Sequence, residues 1–177
     1  MRPLPLILTT AGLTTAGLAA AAAAPAMSAD LSVSIELPRI NTSAYHRPYV
    51  AVWIEKPDQS AVQTLAVWYH PGSRNSQGDG TDWLKDLRAW WRKGGRAMSL
   101  PADGVSGPTK APGRHAVNVP GARLRTLPAG QYTLVVEAAR EMGGRETVRV
   151  PFRWGAANTA AGSGASELGA VRVAVTR

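Results

Sequence analysis

Leu31-Ser32-Val33-Ser34-Ile35-Glu36-Leu37 sets an apolar side chain at every second position. That is the period of a half-buried β-strand, whose successive side chains point to opposite faces. Pro38 ends the run, because proline brings no N–H to a strand ladder. Outward from this stretch the same signal repeats. Tyr49-Val50-Ala51-Val52-Trp53-Ile54-Glu55 and residues 62–69 are β-prone, and Lys56-Pro57-Asp58-Gln59-Ser60 between them is turn-forming, so the pair predicts a hairpin. Residues 114–119 read as a short strand, and Gln131 to Ala138 as a strong one after the turn Leu127-Pro128-Ala129-Gly130. Val148, Val150, Phe152 and Trp154 alternate with Thr147, Arg149, Pro151 and Arg153, with Pro151 pointing to a strand edge or bulge. Val171, Val173 and Val175 close the series.

About seven strands with short turns predict a mainly β fold, an antiparallel sandwich of immunoglobulin type. One inserted α-helix is expected over 82–93. Thr81 would cap it, Asp82 suits its first turn, and Gly94-Gly95 stops it. Leu84, Leu87 and Trp91 share one helix face, overlapped by Trp83 and Trp90. Residues 155–169, rich in Ala, Gly and Ser, are expected as a flexible loop. The length, 177 residues, suits a single domain over 30–177, and a hydrophobic content of 45% can supply its core.

The first residues carry a different message. Arg2 precedes an apolar run from Leu4 to Ala24, and Ala24-Pro25-Ala26 offers the small-x-small pattern of a signal-peptidase site. A signal peptide over 1–26 is expected, with cleavage after Ala26 or, as a second choice, after Ala29. Ala, Gly and Thr make the run too weakly hydrophobic for a retained anchor, so no stable membrane span is expected after cleavage. The protein is therefore expected in the periplasm. The chain has no cysteine, which excludes disulfides, thiolate metal sites, a cysteine nucleophile and a lipid-modified N-terminus.

Net charge is +8, and removal of 1–26 takes away Arg2 alone, leaving +7. Export argues against nucleic acid as the partner of that charge. Anionic lipid, an acidic protein or a phosphate-bearing cofactor are the alternatives outside the cytoplasm. His46, His70 and His115 share no metal-ligand spacing, and no nucleophile elbow, zinc-protease helix or phosphate loop is present. A self-contained hydrolase does not fit these absences.

Chemistry concentrates in Asp103-Gly104-Val105-Ser106-Gly107-Pro108-Thr109. The pattern resembles Asp-x-x-Ser/Thr-Gly-Ala-Thr, the acceptor motif at which a flavin transferase splits FAD and leaves FMN on the final threonine through a phosphoester. The resemblance implies Thr109 as the attachment residue, Ser106 and Gly107 as turn-shaping residues and Asp103 as the residue that opens the motif. A threonine that must enter another enzyme's active site belongs on an exposed loop. Pro108 stands where the pattern has alanine, and proline fixes φ and removes an N–H.

A wider resemblance rests on Leu37-Pro38-Arg39-Ile40, on Tyr45-His46-Arg47-Pro48-Tyr49-Val50-Ala51-Val52-Trp53-Ile54-Glu55, on the tryptophan-rich 83–93 and on Leu127 to Leu134. These stretches are similar to a family of periplasmic proteins whose domain has no known function. That resemblance implies association with flavin transferases and PepSY-type membrane reductases, in the setting of iron acquisition. The stretch from Pro128 to Ala138 also resembles the immunoglobulin-like part of flagellar hook-capping proteins, which bears on fold alone. The expected function is electron transfer by FMN held on Thr109. The alternative is a cofactor-free binding or scaffold module that docks through the basic helix. Trp83, Trp90 or Trp91 could stack on the ring or pack the core. Lys85, Arg88, Arg92, Lys93 and Arg96, with Lys110 and Arg114, could balance its phosphate or lie on a solvated face.

Overall fold

In the computed structural model, residues 29–70 and 80–176 are described. The expected signal peptide over 1–26 lies outside them. Among the described residues nine strands form two sheets. They are β1 (Asp30–Leu37), β2 (Tyr49–Glu55), β3 (Ala61–Tyr69), β4 (Ser106–Pro108), β5 (Gly113–Val119), β6 (Gly130–Ala139), β7 (Arg145–Trp154), β8 (Asn158–Ser163) and β9 (Ala170–Thr176). One sheet has the order β5-β1-β9-β8 and the other β4-β3-β2-β6-β7. Every pairing is antiparallel except β3 with β4, which is parallel.

Alternation in β1 does what it predicts: Leu31, Val33, Ile35 and Leu37 are buried against the other sheet. Their partners in this core include Val52, Leu134, Val136, Val150, Phe152 and Val173. The fold is thus the mainly β, two-sheet sandwich expected. Tyr132, at the start of β6, donates its hydroxyl to the Pro128 carbonyl at 2.9 Å, the tyrosine corner typical of immunoglobulin-type sandwiches. The β2–β3 hairpin turn closes through Lys56 N–H to the Ser60 carbonyl at 3.0 Å and Gln59 N–H to the Lys56 carbonyl at 2.9 Å. Pro151 lies in register opposite Thr133 on β7, an edge strand, so its missing N–H needs no bulge.

Three expectations change. The segment 155–169 holds strand β8, paired with β9 from Asn158↔Val175 to Ser163↔Ala170. Ala, Gly and Ser have low intrinsic β preference, and here the neighbouring strand supplies the ladder. The short β4, with Gly107 and Pro108, is hidden from sequence reading for the same reason.

The third change concerns the insert. Instead of one helix over 82–93, a 3-10 turn (Gly80–Asp86) leads into a short α1 (Arg88–Arg92), and a second 3-10 turn (Gly95–Ala97) follows. Thr81 lies inside the first turn rather than ahead of it as a cap. The break has a definite cause. The Glu137 carboxylate, buried on β6, accepts the N–H groups of Ala89 at 3.0 Å and Trp90 at 2.9 Å. In a helix begun at Asp82 those N–H groups would bond to carbonyls one turn earlier. Taken by Glu137, they become the free donors of a new helix N-terminus.

The insert packs Leu84, Leu87 and Trp90 on the outer face of the larger sheet, over Ala51, Trp53, Val67, Tyr69 and Val135. The tryptophan face is therefore set by Trp90, not Trp91. Its coverage also explains why β2 is buried on both faces from Val50 to Glu55. Gly80 starts the insert hard against the end of β3, where a Cβ would overlap the His70 carbonyl.

Candidate functional site

Residues 102–109 make a turn that runs into the sheet edge. The Ser106 and Val105 N–H groups return to the Ala102 carbonyl at 2.9 and 3.2 Å, and Ser106 Oγ accepts the Ala102 N–H at 2.9 Å. Asp103 lies exposed in that turn. Gly104 takes φ +65°, the left-handed region that favours glycine because it has no Cβ. Backbone freedom, assigned from sequence to Gly107, is thus exercised by Gly104. Gly107 is extended in β4, and a Cβ there would make ordinary contact with the Trp68 ring at 3.4 Å.

The edge pairing also locates Pro108. Val67 N–H bonds to the Val105 carbonyl at 2.9 Å, and Thr109 N–H bonds to the Tyr69 carbonyl at 3.2 Å. Residues 105, 107 and 109 therefore turn their polar groups toward β3, while 108 turns its own away, along the open edge. No ladder bond is lost at Pro108, which also blocks that edge to further strands.

Thr109 is half-buried. It lies where β4 leaves the sheet and lines a cleft of about 800 Å³. Tyr45, His46 and Arg47 line the same cleft from the approach to β2, and Tyr49 from its first residue. His70 lines it from the end of β3, Trp83 and Asp86 from the insert, and Arg140, Glu141 and Met142 from the β6–β7 turn. The ladder sets His70 beside Thr109, one step past the Tyr69↔Pro108 pair.

Electrostatically the cleft is mixed. The Arg140 guanidinium pairs with Glu167 at 2.9 and 3.0 Å and stands 5.9 Å from the Tyr45 ring centroid. Glu167 is itself buried and also accepts the Gly144 N–H at 2.7 Å. His46 Nδ1 is 3.4 Å from the Glu141 carboxylate. Arg47 is exposed and forms no ion pair with the described residues. Burial pushes the Tyr45 phenol above its ordinary value; Arg140 opposes the rise, Glu167 adds to it and Arg47 again opposes it.

None of the seven basic residues that could balance a phosphate or lie on a solvated face lines this cleft. Lys93 reaches the buried Glu55 carboxylate at 2.8 Å and the Gln59 carbonyl at 2.6 Å. Lys110 lies 5.8 Å from the Trp68 ring, and Lys85 lies 5.8 Å from the Trp83 ring. Arg88, Arg92, Arg96 and Arg114 are exposed and do not line the cleft. Of the three candidate stacking tryptophans, Trp90 is core, Trp91 is half-buried, and Trp83 is 60% exposed in the cleft.

Sequence reasoning missed Tyr45, Arg47, Arg140 and Met142 as site residues. The one available signal was the Tyr45-His46-Arg47 run, whose aromatic and basic side chains precede β2 without its alternation. Among the described residues no three His, Asp or Glu side chains gather as metal ligands, and no helix is long and apolar enough to cross a membrane.

Neither a curated protein nor a solved structure matches the chain. A family model described as predicted periplasmic protein (DUF2271) matches residues 30–170, which is nearly all of the sandwich. With its two-sheet fold and a match of that extent, the chain belongs to the DUF2271 family of predicted periplasmic proteins.

Proposed function

We propose that this protein is a periplasmic electron carrier that holds FMN covalently on Thr109 and exchanges electrons with a PepSY-type membrane reductase, in the setting of iron acquisition. The observation that carries the reading is the position of Thr109, the last residue of a flavin-acceptor-like motif, at the rim of the cleft it shares with Tyr45 and Trp83. The cleft volume lies within the range of small-molecule sites, and its lining combines aromatic faces with cations, the donor set that suits a phosphorylated ring system. Bound FMN supplies the redox chemistry.

The chain's own part is to present, tether and shield. In the transferase, Thr109 Oγ1 would attack the FAD pyrophosphate, forming its phosphoester to FMN and releasing AMP and the hydroxyl proton. The Ser106-closed turn and the Tyr69 hydrogen bond hold the acceptor backbone at the edge of β3. Pro108 spends no ladder bond, so the motif's departure from alanine leaves this edge intact.

The test is intact-mass spectrometry after co-expression with a flavin transferase. An FMN adduct is expected that Thr109→Ala abolishes; an unmodified wild-type mass beside an active transferase overturns the reading. A second reading, a cofactor-free docking module, is favoured by the exposure of Lys85, Arg88, Arg92 and Arg96 on the insert. Charge reversal at Arg88 and Arg92 would then abolish partner recovery, and the purified protein would be colourless.

A further inference from the structure

Three large hydrophobic side chains stand exposed among the described residues: Val62 at 37%, Trp83 at 60% and Met142 at 84%. Two of them, Trp83 and Met142, line the cleft that holds Thr109, although one comes from the insert and the other from the β6–β7 turn. Such side chains gathered at a concave site mark an interaction surface more than scattered ones do. Met142 also takes φ +52°, a region that is uncommon for residues other than glycine. The turn that carries it is closed by Arg140 N–H to the Gly144 carbonyl at 3.0 Å and Gly143 N–H to the Arg140 carbonyl at 3.0 Å. It is further fastened by Glu167, which bonds to Arg140 and to the Gly144 N–H. The fold thus holds an apolar, polarisable side chain out at the rim of the cleft.

Charge narrows what would sit there. Glu167 pairs with Arg140, and Glu141 stands by His46. Arg47 is the arginine of this cleft that forms no ion pair with the described residues. An aromatic surface and a thioether favour a planar ring, and a guanidinium favours a phosphate.

We infer that the cleft is a preformed non-covalent seat for the flavin, with Trp83 and Met142 as its apolar walls and Arg47 as its phosphate partner, so that FMN binds there without a bond to Thr109. The identity of the ring rests on the function proposed above. The seat itself rests on these side chains.

The experiment uses the chain purified without any flavin transferase and titrated against free FMN, read by quenching of flavin fluorescence. Saturable quenching is expected. Trp83→Ala should weaken it about tenfold or more, as loss of a stacking partner does, and Met142→Gln should weaken it about threefold. Both positions are exposed, so neither substitution threatens the fold. Arg47→Ala should weaken FMN but leave riboflavin, which has no phosphate, unchanged; Thr109→Ala should bind FMN as the parent does. Absence of saturable quenching, or Trp83→Ala binding as tightly as the parent, overturns the seat. An FMN adduct by mass without binding of free FMN would leave attachment standing and the seat refuted. Binding without an adduct would support the seat and refute attachment.

Discussion

The two faces of the larger sheet solve the same problem with different chemistry. On the inner face Val50, Val52, Ile54, Leu134 and Val136, with the rings of Trp68 and Phe152, meet the other sheet without a charged side chain among them. On the outer face Leu84, Leu87 and Trp90 of the insert share the contact with two buried carboxylates, Glu55 and Glu137. Glu137 caps α1 and stands 3.7 Å from Arg145. Glu55 accepts Trp53 Nε1 at 2.8 Å and Lys93 at 2.8 Å, and pairs with Arg149. The inner face is sealed by strands whose backbones are satisfied within their own sheets. The outer face is covered by helical turns too short to satisfy their own ends, so the sheet must supply acceptors. Buried carboxylates are tolerated there because backbone N–H groups and cations surround them.

The contrast can be broken or sharpened by mutation. Leu134→Ala, fully buried between the sheets, should cost about 3–4 kcal/mol through lost burial and a cavity, measured by denaturant unfolding. Glu137→Ala should cost about 2–3 kcal/mol by leaving the Ala89 and Trp90 N–H groups without acceptors. It should also raise amide exchange in 88–92 before exchange in the strands. Equal loosening of insert and strands would show that the outer face is not a separate layer.

Glu55 offers the smallest and most pH-dependent effect. Burial draws its carboxyl upward, but hydrogen bonds from Lys93, Arg149 and Trp53 outweigh this and hold it below the ordinary value of 4.5. A carboxyl lowered by folding stabilises fully above its unfolded value, and the gain drains away as pH falls through the folded one. Glu55→Gln should therefore cost about 1–2 kcal/mol near neutrality. The gap from the parent should close progressively below pH 4.5. A gap that stays constant down to pH 3 in thermal melts would remove Glu55 from the acid response.

How far the sequence could be read differs along the chain. Alternation marked β1 and β7 because each has one face in the core. The motif from Asp103 to Thr109 was legible as a string and Trp83 as a candidate ring partner, but the grouping of the cleft was not. Tyr45, His70, Trp83 and Met142 come from four separate segments, and no local period relates them. Lys93 and Arg88 were two cations of one predicted helix that could balance a phosphate or lie on a solvated face, and the fold turned one to Glu55 and left the other in solvent.

Taken by itself, the order of residues determined the strands with one wet face and the two-sheet class, because each depends on patterns within a few residues of one another. Tertiary structure alone decided where the helix breaks, since its cap is Glu137, 48 residues beyond Ala89. It alone made strands of Ser106–Pro108 and Asn158–Ser163 and gathered the cleft. In each case the deciding hydrogen bond or contact joins residues that only a finished sheet brings together.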